Sequence, residues 1–248
     1  MKIGVVGFGN LGRSLVEGLV GSGTAGADIY VCEKSAEGCA AAVALHGANA
    51  TDDVNSVVRS ADVIFLTVKS YVFEELATII DQGALAGKTV VSFMAGMQLE
   101  QLRPLIGDAV LVRAMPSLAI AACDGVIGYT AAPEAVAAIF HRLGYAFETE
   151  PENIEKVMAF SSCGLGFAAY LIDAFAEAGE KMGFSPETCV MIASQTFRNA
   201  VDRGDYKGTV KAVATPGGAT EQGVLHMGSR DLPAIVGEAV QKAYDRMK

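Results

Sequence analysis

The chain has 248 residues, of which 51% are hydrophobic, and this suffices to bury the core of one large domain or of two modest ones. Its formal net charge of −9 argues against nucleic acid or an anionic membrane as the main partner, because both require a concentrated positive field. No uncharged stretch of about eighteen residues occurs, and glycines interrupt the first apolar run too early for a signal peptide. The sequence therefore predicts a cytoplasmic protein without a membrane span.

The cysteines and histidines indicate neither a disulfide framework nor a metal site. The five cysteines form no C-x-x-C pair and are odd in number, which favours reduced core thiols. His46, His141 and His226 lie far apart in the chain, without the spacing of metal ligands. We therefore expect no bound metal.

A strand, a glycine turn and a helix are predicted at the beginning of the chain. The motif GVVGFGNLG covers residues 4–12, and Leu15, Leu19 and Val20 continue an apolar helical stripe after it. In such a motif the glycines allow a sharp turn, the approach of a pyrophosphate and close packing of helix on strand. A plain glycine loop is the alternative, because the motif alone is weakly specific. The candidate dinucleotide-binding residues are Gly7, Phe8, Gly9, Asn10, Leu11 and Gly12.

The next predicted strand, residues 28–33, ends in an acidic residue. Glu33 follows the glycine motif at roughly the twenty-residue distance at which a carboxylate binds the adenosine ribose. This carboxylate favours NAD because it repels a 2′-phosphate, whereas Lys34 and Ser35 favour NADP. A solvated strand end is the alternative. We expect NAD(H) or NADP(H) as the cofactor, with Glu33 and Lys34 among its contacts.

Further short apolar strands are predicted at 62–68, 88–93 and 109–113, and they alternate with helices. This pattern is typical of right-handed crossovers and of a doubly wound parallel sheet, that is, an α/β Rossmann-type domain. Ligands of such sheets lie beyond the carboxyl ends of the strands. An alternative for Lys69 is a solvated lysine at a strand end. The candidate cofactor residues at these ends are Lys69, Ala95, Gly96 and Met115, and Pro116 and Ser117 are expected beside them.

Two more short strands, at 125–130 and 145–149, complete the predicted sheet, and a polar segment with a proline follows them. We therefore predict a dinucleotide-binding domain over residues 1–150. Residues 151–248 are predicted to form an all-helical dimerisation domain.

The first helix of that second domain is predicted over residues 154–181 and is apolar on nearly every side between 163 and 175. Such a helix must be buried on every side, and a segment of this size is too small to enclose it. This indicates burial against a second subunit. Further helices are predicted at 186–203 and 231–247.

A second glycine segment, TPGGAT at residues 215–220, precedes a predicted helix at 221–227. Its glycines can free backbone N–H groups at a helix N-terminus, which suits a carboxylate, and Thr220 adds a hydroxyl group. The alternative is a plain turn between helices with Thr215 as the N-cap. One dinucleotide site and one carboxylate site together suggest a dehydrogenase or reductase.

Over almost its whole length the chain resembles the pyrroline-5-carboxylate reductases. The proline-glycine-glycine-x-threonine motif is its most specific part, at this distance after a lysine-methionine-glycine sequence. The matching segments are the glycine motif at 4–12, Val68 with Lys69, Ser92 with Ala95 and Gly96, RAMP at 113–116, AGEKMG at 178–183, Gln195 with Thr196, and TPGGAT at 215–220.

The resemblance implies NAD(P)H-dependent reduction of the cyclic imine 1-pyrroline-5-carboxylate to proline. It also implies a homodimer, often assembled further, in which the partner subunit completes each active site. Val68 would join the cofactor contacts, and Thr220 would act catalytically through a hydrogen bond to the ring nitrogen. The implied substrate-binding residues are Pro216, Gly217, Gly218, Ala219 and Thr220.

Two segments depart from the family pattern, and in addition Ser70 follows Lys69 where the family usually has a proline. Ser117, Leu118 and Ala119 replace an asparagine-threonine-proline sequence, and residues 161–167 read SSCGLGF where the family has SGSGPAY. These changes suggest a diverged member that accepts another cyclic imino acid. The other hypotheses are a non-catalytic dinucleotide-binding regulatory protein and a hydroxyacid dehydrogenase of similar architecture.

Overall fold

The structure is a computed structural model that describes residues 1–247. The chain divides into two compact units. Residues 1–162 form the first unit, residues 163–243 form the second, and residues 244–247 group with the first. The domain boundary predicted at residue 150 stays a prediction.

The first unit is built on one sheet, which has eight strands within the described residues and the order β3-β2-β1-β4-β5-β6-β7-β8. All neighbouring strands are parallel except β6 and β7. The order reverses between β1 and β4, where the crevice of a doubly wound sheet binds its ligand. The strands are β1 Ile3–Val6, β2 Ile29–Cys32, β3 Asn49–Thr51, β4 Val63–Leu66, β5 Thr89–Ser92, β6 Val110–Pro116, β7 Gly125–Tyr129 and β8 Gly144–Glu148.

Helices cover both faces of this sheet, as predicted. One core contains side chains of α1, α2 and α6, and the other contains side chains of α3, α4 and α5. Alternate residues of a strand enter opposite cores, so that Phe65 packs on one face and Ile64 and Leu66 pack on the other. The helices are α1 Asn10–Gly21, α2 Ala36–His46, α3 Val54–Ser60, α4 Ser70–Ala77, α5 Leu99–Ile106, α6 Glu134–Arg142 and α7 Ile154–Val157.

The pairing of β6 with β7 is antiparallel, which the predicted parallel sheet did not specify. A parallel connection needs a crossover of about a dozen residues or more, usually with a helix. Residues 117–124 contain only a short 3-10 turn, Leu118–Ala122, and the chain therefore reverses. β8 is again parallel to β7 because α6 supplies a crossover helix.

The second unit is helical within the described residues. The helix predicted over 154–181 contains a π-helical segment, Met158–Ser162, which lies in the first unit between α7 and α8. The helices are α8 Cys163–Lys181, α9 Pro186–Arg203, α10 Tyr206–Val213, α11 Ala219–Ser229 and α12 Leu232–Asp245.

Large apolar side chains of this unit lie exposed in the single chain. Tyr170 is 75% exposed and Met182 is 78% exposed, and Phe175, Met191 and Leu225 are also exposed. Together they form far more apolar surface than a soluble monomer usually leaves uncovered. This is the pattern expected of helices that pack against a second subunit.

The same helical segment bears on the predicted absence of a membrane span. Pro151–Lys181 is long and apolar enough to cross a membrane by length and composition, and only 6% of its most apolar window is buried inside the structure. The charged residues within this window are too few to break the apolar run. The absence of a membrane partner therefore stays a prediction.

Candidate active site

The glycine loop between β1 and α1 has a backbone shape that only glycine fits. Gly7 has φ +102°, and a Cβ there would lie 2.7 Å from Cγ1 of Val68. A Cβ on Gly12 would lie 2.0 Å from the carbonyl oxygen of Gly7. Around Gly9, in contrast, a Cβ would meet open space, with no described atom within 4 Å. Gly7 and Gly12 thus allow close packing, whereas Gly9 leaves the surface of the loop free for a ligand.

This loop leads to a helix N-terminus that can bind an anion. Gly9 is the N-cap of α1, and no side chain of the described residues caps the helix there. The first N–H groups of the helix, from Asn10 onward, consequently seek a partner outside the helix, and the helix dipole favours a negative one. The loop therefore fits the pyrophosphate of a dinucleotide.

Contacts from other strands hold the loop in place. The backbone N–H of Gly7 donates to the carbonyl of Cys32 over 2.9 Å. The hydroxyl of Thr67, directly after β4, donates to the carbonyls of Val6 and Gly7 over 3.0 Å and 2.8 Å. Phe8 is buried, with the Arg13 guanidinium 5.5 Å from its ring centre. The loop is thus preformed within the first unit.

Glu33 also holds the loop, because its carboxylate accepts from the backbone N–H of Phe8 over 3.0 Å. The backbone N–H and the hydroxyl of Ser35 donate to the other carboxylate oxygen, each over 3.0 Å. Partial burial opposes ionisation of Glu33, but the hydrogen bonds from Ser35, Phe8 and Lys34 outweigh it and lower the pKa of the carboxyl group. A fixed negative charge therefore lies at the end of β2.

A cleft of about 560 Å³ lies beyond the carboxyl ends of β1, β4, β5 and β6. It brings together most of the cofactor residues predicted from the sequence. Gly12 packs beneath the loop instead of lining the cleft, Gly96 lies outside the lining, and Lys34 lines a smaller adjoining pocket. The predicted residues that line the cleft are Gly7, Phe8, Gly9, Asn10, Leu11, Glu33, Val68, Lys69, Ala95 and Met115.

Sequence reasoning missed several residues of this cleft. Thr67 carries no motif, and Met158 and Ser162 reach the lining from the π-helical segment. The polar residues after each strand could have indicated Thr67, whereas no sequence signal predicts a π-helical segment. The missed lining residues are Thr67, Val72, Phe93, Met94 and Met158, whereas Ser70, Pro116, Leu118 and Ser162 belong to segments that the sequence already placed at the site.

The two segments that depart from the family pattern meet at the cleft. The hydroxyl of Ser162 donates to the carbonyl of Pro116 over 2.9 Å. Ser117 is buried, and its hydroxyl accepts from the backbone N–H of Val126 over 3.1 Å. Ser117 therefore braces β7, while Ser162 and Leu118 line the cleft.

A buried ion pair supports the floor of this region. Arg113 on β6 is fully buried, and its guanidinium lies 2.5 Å from the carboxylate of Glu155 on α7. It also donates to the side-chain oxygen of Gln98 over 2.9 Å and to the carbonyl of Met94 over 3.5 Å. The pair joins the loop after β5 to the beginning of the helical segment.

The second glycine segment lies at the N-terminus of α11 in the second unit. The helix begins at Ala219, so Thr220 occupies its first turn, and the N-cap is Gly218 instead of Thr215. Gly217 has φ +74°, and its backbone N–H donates to the carboxylate of Glu221 over 2.8 Å. One of the predicted donors for a substrate carboxylate is thus paired with a carboxylate of the chain itself.

Within the described residues, no group of three His, Cys, Asp or Glu side chains could hold a metal ion. The family described as pyrroline-5-carboxylate reductase dimerisation matches residues 151–248. The family described as NADP oxidoreductase coenzyme F420-dependent matches residues 2–96. Pyrroline-5-carboxylate reductase of Escherichia coli is 29% identical, over 99% of this chain and 96% of that protein. The chain is therefore similar to pyrroline-5-carboxylate reductases over almost its whole length, and its helical half matches their dimerisation family.

Solved structures of this family have the same fold. Pyrroline-5-carboxylate reductase of Coxiella burnetii superposes with a TM-score of 0.85 at 26% identity, covering 99% of this chain and 97% of that one. The Plasmodium falciparum pyrroline carboxylate reductase, solved with NADP bound, gives a TM-score of 0.90 at 21% identity, covering 100% of this chain and 97% of that one. The predicted fold class is therefore confirmed in both halves of the chain, and the match of the helical half to a dimerisation family indicates a homo-oligomer.

Proposed function

We propose that the chain catalyses the NAD(P)H-dependent reduction of 1-pyrroline-5-carboxylate, or of a closely related cyclic imino acid, to the saturated ring. The full-length similarity to curated pyrroline-5-carboxylate reductases supports this, together with the match of the helical half to their dimerisation family. The observation that carries the proposal is the preformed glycine loop, which opens on a cleft large enough for a nicotinamide nucleotide. The bound nicotinamide supplies the hydride that adds to the imine carbon.

The residues of the first unit have the task of holding the cofactor. The loop from Gly7 to Gly12 and the first turn of α1 bind the pyrophosphate through backbone N–H groups. Glu33 faces the adenosine ribose, and Val68, Lys69, Ala95 and Met115 line the rest of the cleft. Gly96 and Lys34 are proposed contacts beside it. We propose residues 1–150 as the cofactor-binding domain and residues 151–248 as the substrate-binding and dimerisation domain.

The residues of the second unit have the task of holding the substrate. Backbone N–H groups around Gly217, Gly218 and Ala219 bind the substrate carboxylate, with Pro216 shaping the turn. The hydroxyl of Thr220 donates a hydrogen bond to the ring nitrogen, which makes the imine carbon a better hydride acceptor. The carbon would gain the hydride from NAD(P)H, which becomes NAD(P)⁺, and the nitrogen would gain a proton that comes ultimately from solvent, so the reaction needs no side-chain nucleophile.

The helical half suggests how the active protein is assembled. Its exposed apolar side chains support a homodimer, or a larger homo-oligomer built from dimers, in which the partner subunit completes each active site. We propose that this assembly acts in the cytoplasm and binds neither nucleic acid nor a membrane. Light scattering at micromolar protein concentration tests the assembly, and a monomer would contradict it.

The activity is tested by following the absorbance of NADH and of NADPH with a panel of cyclic imines. Pyrroline-5-carboxylate and a six-membered imino acid are expected to oxidise the cofactor, whereas unsubstituted 1-pyrroline is expected to react poorly. Reaction of the unsubstituted imine alone would remove the carboxylate site from the proposal. Tight cofactor binding without turnover across the panel would favour the non-catalytic regulatory protein.

The role of Thr220 is tested with Thr220→Val and Thr220→Ser. Loss of a positioned hydrogen-bond donor lowers kcat by roughly 10²-fold to 10⁴-fold, and the serine variant is expected to recover most of it. Cofactor affinity serves as the control, because it should be the same in both variants. Full activity of Thr220→Val would exclude the threonine from the mechanism.

A further inference from the structure

A pocket of about 190 Å³ adjoins the main cleft at the carboxyl ends of β1 and β2. Its lining includes the apolar side chains of Val68, Val72 and Leu76 and the acidic residues Glu33 and Asp52. An apolar lining with a few polar groups suits a flat base joined to a sugar. Since the glycine loop contributes Gly7 to the same pocket, the adenosine half of a dinucleotide is the group that fits it.

The charge of Glu33 in this pocket is held in a fixed position. Its two carboxylate oxygens accept the hydrogen bonds from Phe8 and Ser35 described above, so the side chain cannot turn away without breaking them. The Cβ of an alanine at position 38 would lie 2.5 Å from Cγ of Glu33, which shows how closely α2 packs on this side chain. A ribose diol can donate to such a carboxylate, whereas a 2′-phosphate is repelled by it.

Ser35 cannot offset this repulsion. Its single hydroxyl proton is directed to Glu33, and the same oxygen accepts from the backbone N–H of Gly38 as the N-cap of α2. Its backbone N–H is also bonded to Glu33. The serine that favours NADP in the sequence is therefore occupied in the structure.

Among the described residues that line the pocket, Lys34 contributes the one positive charge, whereas Glu33 and Asp52 contribute two negative charges. It is exposed, and an ammonium group on a flexible chain is strongly hydrated, so it holds a phosphate less firmly than a guanidinium pair does. Cys32, also in the lining, adds no charge at neutral pH, because burial raises the pKa of its thiol to about 11. The pocket lining is therefore net acidic.

We propose that Glu33, assisted by Asp52, discriminates against the 2′-phosphate, so that this chain binds NADH in preference to NADPH. The inference rests on the proposed function only in taking the glycine-loop cleft as the cofactor site. It makes Glu33 a specificity-determining residue and Asp52 a weaker contributor, since Asp52 is exposed and more completely screened.

The experiment measures the Kd of NADH and of NADPH by fluorescence titration of the purified full chain at low and at high salt. We expect NADH to bind about tenfold more tightly or better at low salt, and the ratio to shrink at high salt because the repulsion is screened. Glu33→Gln should tighten NADPH and bring the ratio close to one, Asp52→Asn should shift it less, and Lys34→Ala should weaken NADPH further.

Glu37→Gln is the matched control, because it removes the same charge from the first turn of α2 at a position outside the pocket lining. It is expected to leave the ratio unchanged. Tighter binding of NADPH than of NADH by the unmodified chain would overturn the inference and leave the proposed function standing. A ratio of the two Kd values that Glu33→Gln does not change would have the same consequence. Binding of neither nucleotide would overturn both. If Glu33→Gln weakens both nucleotides equally, the residue only braces the loop and the inference fails.

Discussion

The chain carries two glycine turns that lead into helices, and they differ in how completely the surrounding chain builds them. The loop before α1 is held by residues distant in sequence, namely Thr67, Cys32 and Glu33. The turn before α11 is held by near neighbours, because Gly218 donates to the carbonyl of Thr215 and Gly217 donates to Glu221. Long-range contacts fix a site before any ligand arrives, whereas local contacts leave a turn that further partners must enclose.

The packing around the glycines shows the same contrast. A side chain on Gly12 would meet the backbone of Gly7, whereas a side chain on Gly217 would meet no described atom within 4 Å. The first turn therefore needs glycine for packing, and the second needs it for its positive φ. A preformed nucleotide site and an open substrate turn are consistent with an enzyme whose substrate site is completed by assembly.

The largest expected effect tests whether the stability of the first unit depends on the buried ion pair between Arg113 and Glu155. Glu155→Ala would leave the buried guanidinium of Arg113 without its partner, which costs roughly 3–5 kcal/mol of unfolding free energy. Denaturant unfolding with cofactor present and absent measures this loss. The exposed Glu187→Ala in the second unit is the control, with an expected change within about 0.5 kcal/mol.

A double substitution separates the charge from the packing in that experiment. Arg113→Met with Glu155→Leu removes both charges while keeping apolar volume, and it should recover much of the stability lost in Glu155→Ala. If Glu155→Ala were no less stable than the Glu187→Ala control, the buried pair would not be part of the framework.

The next effect separates the two kinds of glycine within the first loop. Gly9→Ala is expected to fold normally, since its Cβ meets no described atom, and to weaken NADH binding about tenfold or more by obstructing the pyrophosphate. Gly12→Ala is expected to lower both the melting temperature and the affinity, because its Cβ would collide with the Gly7 carbonyl. Calorimetry and fluorescence titration measure the two quantities. Equal behaviour of the two variants would contradict the distinction between packing and ligand clearance.

The difference between the two turns also explains how much could be predicted. The glycine loop, the alternation of strands with helices and the acidic end of β2 follow local rules, and these predictions of fold are confirmed. β3 was missed because Asn49–Thr51 is too short and too polar to give an apolar run. The short helix α3, which follows it, was missed as well. The roles of Thr67 and Arg113 depend on partners far away in sequence, and no local pattern contains that information.

The substrate turn supplies a smaller effect. Glu221 accepts from the Gly217 backbone N–H that is proposed to bind the substrate carboxylate, so the two carboxylates compete for this donor. Glu221→Gln should therefore lower KM for pyrroline-5-carboxylate by about twofold to fivefold, which corresponds to the worth of one exposed charge interaction, and change kcat little. Glu238→Gln in α12 is the control for net charge. A raised KM would mean that Glu221 holds the turn in its binding conformation and does not compete.

The smallest effect concerns pH and returns to the long-range contacts of the first loop. Because the folded-state pKa of Glu33 lies below its ordinary value of 4.5, the hydrogen bonds to its carboxylate stabilise the folded chain above that pH. This contribution is lost as the pH falls through the lower, folded-state pKa. Glu33→Gln should accordingly make unfolding free energy less dependent on pH in the acid range, by a modest amount since the group is partly exposed. Glu37→Gln keeps the Glu33 contacts and should retain the full dependence. If the Glu33→Gln chain kept it too, the carboxylate would not anchor the loop, and the contrast between the two turns would rest on Thr67 and Cys32 alone.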